Sequence, residues 1–493
     1  MGEEIPDGSA RPEDRERFAE RCREGLVALQ GLLERPGFGE GPDSMGVELE
    51  VGLIDARAQP APVNHQVIET AAEPDLELEL DRFNLEYNCA PQRLSGAPFS
   101  AIADDLSGAL GRIERAAAVH GARPVAVGIL PTLRAEHLGA GAMSDSPRYR
   151  ALNAGLRDLR GGPFEIRIQG AESLETTWDD VTLEGAATGL HIHLRVSPGR
   201  FAATLNAAQM ATAPVLAAAV NSPLLMGRVL WHETRVALFG QAVDDRAPVT
   251  AAWLPSRASF GHGWVADALD PFTESVALHV PILPVLGDED PLAVLRGGGV
   301  PSFDELRLHH GTVWRWNRTV LALGDDPHLR VEMRALPGGP SPRDMAANVA
   351  FMVGLTLSVA AEIGWMARSM PFDMARRNFY TAARQGLEAE LLWPSPTAPS
   401  PRPAHAPDLV RRLIPRAADA LVMAGVDRRE AEGLLELVHA RADHGATGAS
   451  WQRRALAALE RDLSRDEALA RLTEEYVARC REGAPVAEWT LPG

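Results

Sequence analysis

In four separate stretches of this chain, charged residues or histidines alternate with apolar ones, and this pattern constrains the fold more than any other feature. Side chains on a β-strand point to opposite faces with period two. In residues 46–55, Glu48 and Glu50 therefore share a face opposite Val47, Leu49 and Val51. In 76–88, Glu77, Glu79 and Asp81 share a parity; after a turn or bulge, so do Asn84, Glu86 and Asn88. In 188–196, His191, His193 and Arg195 oppose Leu190, Ile192 and Leu194. In 329–336, Arg330, Glu332 and Arg334 oppose Leu329, Val331 and Met333. Helical patterns fall at 13–33, 100–120, 201–220, 231–239 and 343–367, and a short buried strand at 124–130. Strands with helices between some of them predict an α+β protein on a mostly antiparallel sheet.

A polar strand face is most often a solvated face. The residue types argue against that here. Solvated faces commonly carry threonine and serine, whereas these carry acids, histidines and arginines. Neighbouring carboxylates such as Glu48 and Glu50 repel, and several together need a cation to stay ionised. Glutamates with a histidine suit hard divalent ions, magnesium or manganese. Arginines suit phosphate through their planar donor fork. Such a face is fitted to nucleotide phosphoryl transfer. His191 and His193 are not a zinc signature, because no third histidine or cysteine nearby completes a tetrahedral set.

Other chemistries are excluded. All 49 basic residues are arginine, so a P-loop lysine, a Schiff-base lysine and a lysine general base are ruled out. Cys22, Cys89 and Cys480 lie far apart, which argues against a zinc knuckle and a disulfide scaffold; Cys89 reads as a buried thiol. A net charge of −18 argues against nucleic-acid or membrane partners. No apolar run is long enough for a membrane span. Residues 1–20 are charged and lack a signal-peptide core, so a cytoplasmic location is expected.

The proline-rich stretch 393–407, WPSPTAPSPRPAHAP, reads as a linker or extended surface loop unable to pair within a sheet. It divides an expected catalytic domain, residues 1–392, from a C-terminal helical subdomain, 408–493. That part carries helical patterns at 409–423, 429–442, 451–461 and 465–481, with Ser464 and Glu467 placed as a capping box. Residues 444–454 could lend a side chain to the main domain or an oligomer contact, although a simply packed helical cap is the plainer reading.

Ordered segments carry a wider resemblance: GVELEVGLID, LDRFNLEYNCAPQ, VGILPTL, RYRALN, GLHIHLRV, AVNSPLLMGRVLWHETRVALFGQAV, HHGTVWRWNR and HLRVEMRALPGGPSPRDMAANVAF. Over residues 46–360 the chain resembles the glutamate–cysteine ligase type 2 (carboxylate–amine ligase) family, related in fold to glutamine synthetase. The resemblance implies a curved sheet, a glutamine synthetase-like catalytic barrel flanked by helices, with a C-terminal helical bundle. It implies an ATP- and magnesium-dependent enzyme, with manganese as the other candidate ion. Such an enzyme activates the glutamate γ-carboxylate as an acyl phosphate and joins it to an amine, usually cysteine. Among the residues, Glu48 and Glu50 match the metal-binding pair. Glu79 and Glu86 match two further acids, of which Glu86 is the stronger metal ligand. His191 matches the ligand histidine, with His193 nearer the nucleotide phosphates, although the two could exchange roles. Glu332 matches the late metal ligand, flanked by Arg330 and Arg334 as contacts to phosphate or substrate carboxylate. Asn221 matches the nucleotide and substrate pocket, and Arg235 a catalytic place beside it.

Plainer roles compete. Asn221 could cap a helix, Arg235 could pair with Glu233 or Asp244, and Trp314, Trp316 and Arg318 could be pocket wall or packing. Two other functions stay open: the same chemistry with a different amino acid, amine or peptide acceptor, and a catalytically silent nucleotide-binding scaffold.

Overall fold

The computed structural model describes residues 12–398 and 400–492. Eight strands make the main sheet: β1 (Ser44–Ile54), β2 (Leu76–Leu78), β3 (Asn84–Asn88), β4 (Gln92–Arg93), β5 (Arg123–Val125), β6 (Gly189–Val196), β7 (Asn317–Ala322) and β8 (His328–Pro337). Their order is β7-β8-β6-β1-β3-β2, with β4 and β5 also pairing with β1. Every pairing is antiparallel. The sheet curls into a half-barrel, as the resemblance implied.

One side of this sheet is an apolar core. Val47, Leu49, Leu190, Ile192, Leu194, Val331 and Met333 are buried with α2 (Pro98–Val119), α3 (Pro198–Ala219) and α4 (Pro342–Ala360). Helix α1 (Pro12–Leu33) joins the same core through Leu29 and Leu32. The C-terminal helices are α5 (Ala406–Ala424), α6 (Arg428–His444), α7 (Gly448–Leu459) and α8 (Arg465–Glu482). Leu413 and Val438 extend the main core, while Trp451 and Tyr476 pack with Val125 and Val127 in a second one. The Ser464–Glu467 capping box forms.

Several predicted segments differ. Residues 76–88 make a hairpin, with Glu77 opposite Glu86, and Asp81 is buried in its turn rather than aligned on the charged face. Of the strand expected at 124–130, only Pro124 and Val125 pair, in a strand that begins at Arg123. The long helix predicted at 343–367 ends at Ala360 and restarts as Ile363–Ser369 at 89°. Glu362 leaves the helical backbone there (φ −116, ψ 2), and its carboxylate accepts the Trp365 indole N–H. The proline-rich stretch does pair: Glu390–Trp393 and Arg402–His405 form a two-stranded ribbon with Leu392 opposite Pro403. Each strand of a ribbon is an edge, where proline's missing N–H is tolerated.

Among the described residues no single helix is long and apolar enough to cross a membrane. Residues 1–11, part of the segment read for a signal peptide, lie outside the described residues.

Candidate active site

The register turns four one-dimensional patterns into a surface. Residues directly opposite on antiparallel strands project to the same side, their Cβ atoms about 5 Å apart. Glu48 pairs with His191 and Glu50 with Glu86. His193 pairs with Glu332, and Glu332 with Arg318 on β7. The result is a continuous charged face across β7, β8, β6, β1 and β3.

That face is enclosed rather than solvated. His191 is 5% exposed, His193 4% and Glu332 1%. His191 lies between two acids, Nδ1 3.4 Å from Glu48 and Nε2 3.7 Å from Glu50. The His193 Nε2 is 2.8 Å from Glu48 Oε1, but out of line for a hydrogen bond, so both its ring nitrogens are buried without a hydrogen-bond partner.

Ligand atoms converge at two places. Those of Glu48, His191 and Glu332 lie within 4.8 Å of one another, and so do those of Glu50, Glu86 and His191. His191 belongs to both groups. Carboxylate oxygens with one imidazole form a donor set suited to a hard divalent cation, so these residues fit the magnesium that the sequence pattern called for. Glu79 stands outside both groups. Its carboxylate accepts the Leu80 N–H at 3.0 Å and feels the charges of Glu50 and Glu86.

The electrostatics split the face. Burial acts to raise the Glu332 carboxyl, but Arg318 and Arg334 outweigh it and hold it far below the usual range. Arg318 Nη2 is 2.6 Å and Arg334 Nη1 2.8 Å from Glu332. Burial likewise opposes ionisation of Glu48, and His193 and His191 overcome it. Across the sheet the acids lack such company. Burial, then the charges of Glu48 and Glu50, pushes Glu86 up to about 8. Burial, then Glu50 and Glu86, drives Glu79 well above the carboxylate range. Arg330 carries a buried Nε with no hydrogen-bond partner, and Glu48 and Glu332 are its charged neighbours.

Asn221 sits elsewhere, and Arg235, although it borders His191 at Gly189, is taken up by an ion pair and by backbone carbonyls. Asn221, expected beside the nucleotide, is wholly buried behind the sheet. Its Nδ2 donates to Gly338 O (2.8 Å) and Tyr476 Oη (2.7 Å), and its Oδ1 accepts from Gln452 (2.9 Å), leaving no group for a ligand. Arg235 is 3.3 Å from Glu233, the ion pair weighed as its plainer role. It also donates to Ala335 O (3.3 Å) and Arg334 O (3.5 Å). The register of β8 on β6 shifts between Met333 and Leu336, so Arg235 satisfies carbonyls that this bulge removes from the ladder.

The sequence reading missed two residues. Arg318, from sequence a wall or packing residue, ion-pairs with Glu332; its place on an alternating strand, NRTVLA, is the signal that marks it. Glu184 sits on the four-residue helix Thr182–Gly185, where no periodicity exists to mark it. Burial, then Glu50, pushes its carboxyl up to about 7, against the pull of Arg334 and Arg148. A separate cleft of about 560 Å³, lined by Trp253, Leu254, His262 and Tyr380 among others, includes none of the predicted site residues.

Comparison with known proteins shows the family. Residues 44–475 match the model of glutamate–cysteine ligase family 2. The chain belongs to that family. A Rubrobacter xylanophilus protein named "Putative glutamate--cysteine ligase 2-3" is 27% identical over 428 residues, 85% of this chain and 94% of that protein. The crystal structure of a glutamate–cysteine ligase from Francisella tularensis in complex with AMP superposes with a TM-score of 0.53. It shares 10% identity and covers 92% of this chain and 91% of that one, a likeness of fold. As a member of glutamate–cysteine ligase family 2, the protein is an enzyme of the ATP-dependent carboxylate–amine ligase class.

Proposed function

We propose that this ligase uses ATP and magnesium to activate the γ-carboxylate of glutamate as an acyl phosphate and then joins it to an amine such as cysteine, releasing ADP and phosphate. The observation that carries the reading is the pair of ligand groups sharing His191, with arginines on one flank. Glu48, Glu50, Glu86, His191 and Glu332 would hold the divalent ions, with Glu79 in reserve behind Glu50 and Glu86. Bound there, magnesium supplies positive charge to offset that of the ATP phosphates.

The chain's own groups account for the rest. The Arg330 guanidinium, lacking a hydrogen-bond partner at Nε, is available to an anion on the face. Arg334 is aimed by its ion pair with Glu332 and by the bulge that Arg235 supports, so its charge is fixed before substrate arrives. The substrate carboxylate attacks the γ-phosphorus and ADP leaves; the amine attacks the resulting acyl carbon and phosphate leaves. Enclosure of the face keeps water from competing with the amine.

The test is phosphate release from ATP with glutamate and a panel of amines, followed by mass spectrometry of the product. Release that needs both glutamate and cysteine supports the reading in full. Release with another amine keeps the chemistry and changes the acceptor. Nucleotide binding without turnover on any pair overturns the ligase reading in favour of a silent scaffold.

A further inference from the structure

The C-terminal helices reach behind the charged face at one point. Asn221 follows α3, and the hydrogen bonds that occupy its side chain come from three parts of the chain. Gln452 on α7 donates to its Oδ1 at 2.9 Å and to its backbone carbonyl at 3.2 Å. Asn221 Nδ2 donates to the Tyr476 hydroxyl on α8 at 2.7 Å, and that hydroxyl donates onward to Ala126 O at 3.0 Å. Its remaining Nδ2 hydrogen goes to Gly338 O, one residue past β8.

From Gly338 the contacts run straight to a candidate metal ligand. Gly338 N–H bonds Thr188 O, Thr188 N–H bonds Gly128 O, and Gly128 N–H bonds Asn221 O, a path that the Asn221 side chain closes into a ring at Gly338 O. Pro337 pairs with Gly189, and Gly189 N–H donates to Glu50 Oε2 at 2.5 Å. Close approach depends on glycine at two places. A Cβ on Gly448, at the start of α7, would lie 1.9 Å from Asn221 Oδ1. A Cβ on Gly339 (φ +75) would lie 2.7 Å from Tyr476 Oη and 2.1 Å from Ala126 O. The same loop is held further on: Arg441 of α6 reaches Asp344 at 2.9 Å in the first turn of α4.

We infer that Gln452 and Tyr476 are positioning residues for the reaction: through Asn221 they hold the junction of β8 and β6, and with it the Glu50 carboxylate. The inference rests on the ligase reading only where turnover is measured. Side chains that orient metal ligands from behind typically change affinity or activity about 10–100-fold when lost. Tyr476→Phe keeps the ring and removes only the hydroxyl. Gln452→Met keeps the length and removes the donor.

Each variant should lower kcat about tenfold with KM for ATP within about twofold. Each should also weaken manganese binding, titrated by EPR. Amide hydrogen exchange should speed up in 126–130, 187–190 and 336–340 and stay at the parent rate in β7. Parent-like kcat, manganese affinity and exchange in the folded double variant would overturn the inference. So would exchange that rises evenly over the whole chain, the mark of a merely structural role. If the parent turns over no substrate pair, the ligase reading fails on its own, while manganese affinity and local exchange still decide this one.

Discussion

Two halves of one charged face are built on opposite principles. Toward β7 and β8, each acid has a cation or imidazole beside it: Glu332 lies between Arg318 and Arg334, and Glu48 beside His191 and His193. Toward β3, Glu79 and Glu86 have chiefly Glu50 and one another, and Glu50 shares His191 with Glu48. The first half is already neutralised by protein and needs no ion to fold. In the second, burial and repulsion between neighbours keep protons on Glu79 and Glu86, which a divalent cation would have to displace.

The contrast can be broken from either side. The largest effect is expected at Glu332→Gln, which leaves two half-buried arginines without their anion. Urea unfolding should show a loss of about 3–5 kcal/mol, and phosphate release should fall by about 100-fold or more. Full activity in this variant would remove Glu332 from the metal site.

Glu86→Gln should cause a comparable loss of activity, about 100-fold, with the opposite effect on the metal-free fold. It removes a carboxylate pressed by Glu48 and Glu50, so the melting temperature without metal should hold or rise. A marked fall would mean that this half is compensated like the other.

The pH dependence sharpens the same point. Glu86 rises from an ordinary 4.5 to about 8 in the folded protein, so between those values the folded state holds a proton that the unfolded chain has released. The metal-free protein should therefore lose stability as pH rises from about 4.5 through about 8, by about 5 °C in Tm. Glu86→Gln should flatten that slope. Magnesium must displace the proton, so binding near pH 7 should release about one proton, measurable by calorimetry in buffers of different ionisation enthalpy, and should tighten as pH rises.

The smallest effect is the control. Ser464→Ala removes the cap of α8 far from the face. It should lower Tm by about 1 °C and leave phosphate release unchanged. A loss of turnover there would mean that the C-terminal helices act on the site as a whole rather than through Gln452 and Tyr476.

What was legible in the sequence was local. Alternation is a property of a single strand, so Glu48 with Glu50, His191 with His193, and Arg330 with Glu332 and Arg334 could each be placed on one face without knowledge of the rest. The chain's lack of lysine, and the helical periods from α1 to α8, were equally local. Periodicity did not show where Glu362 would leave the helix, and the proline count did not show that an edge ribbon would accept Pro403.

What the tertiary structure alone decided was adjacency. That Glu332 meets His193 and Arg318, that His191 serves two groups of acids, and that Glu79 stands apart follow from register between strands far apart in sequence, which no single strand encodes. Asn221 shows the limit most plainly. The sequence marked it as polar and set among site segments, which is true, but burial and three partners from distant elements turned it from a ligand contact into a brace. A residue type specifies which bonds a side chain can make; the fold decides which groups are there to make them.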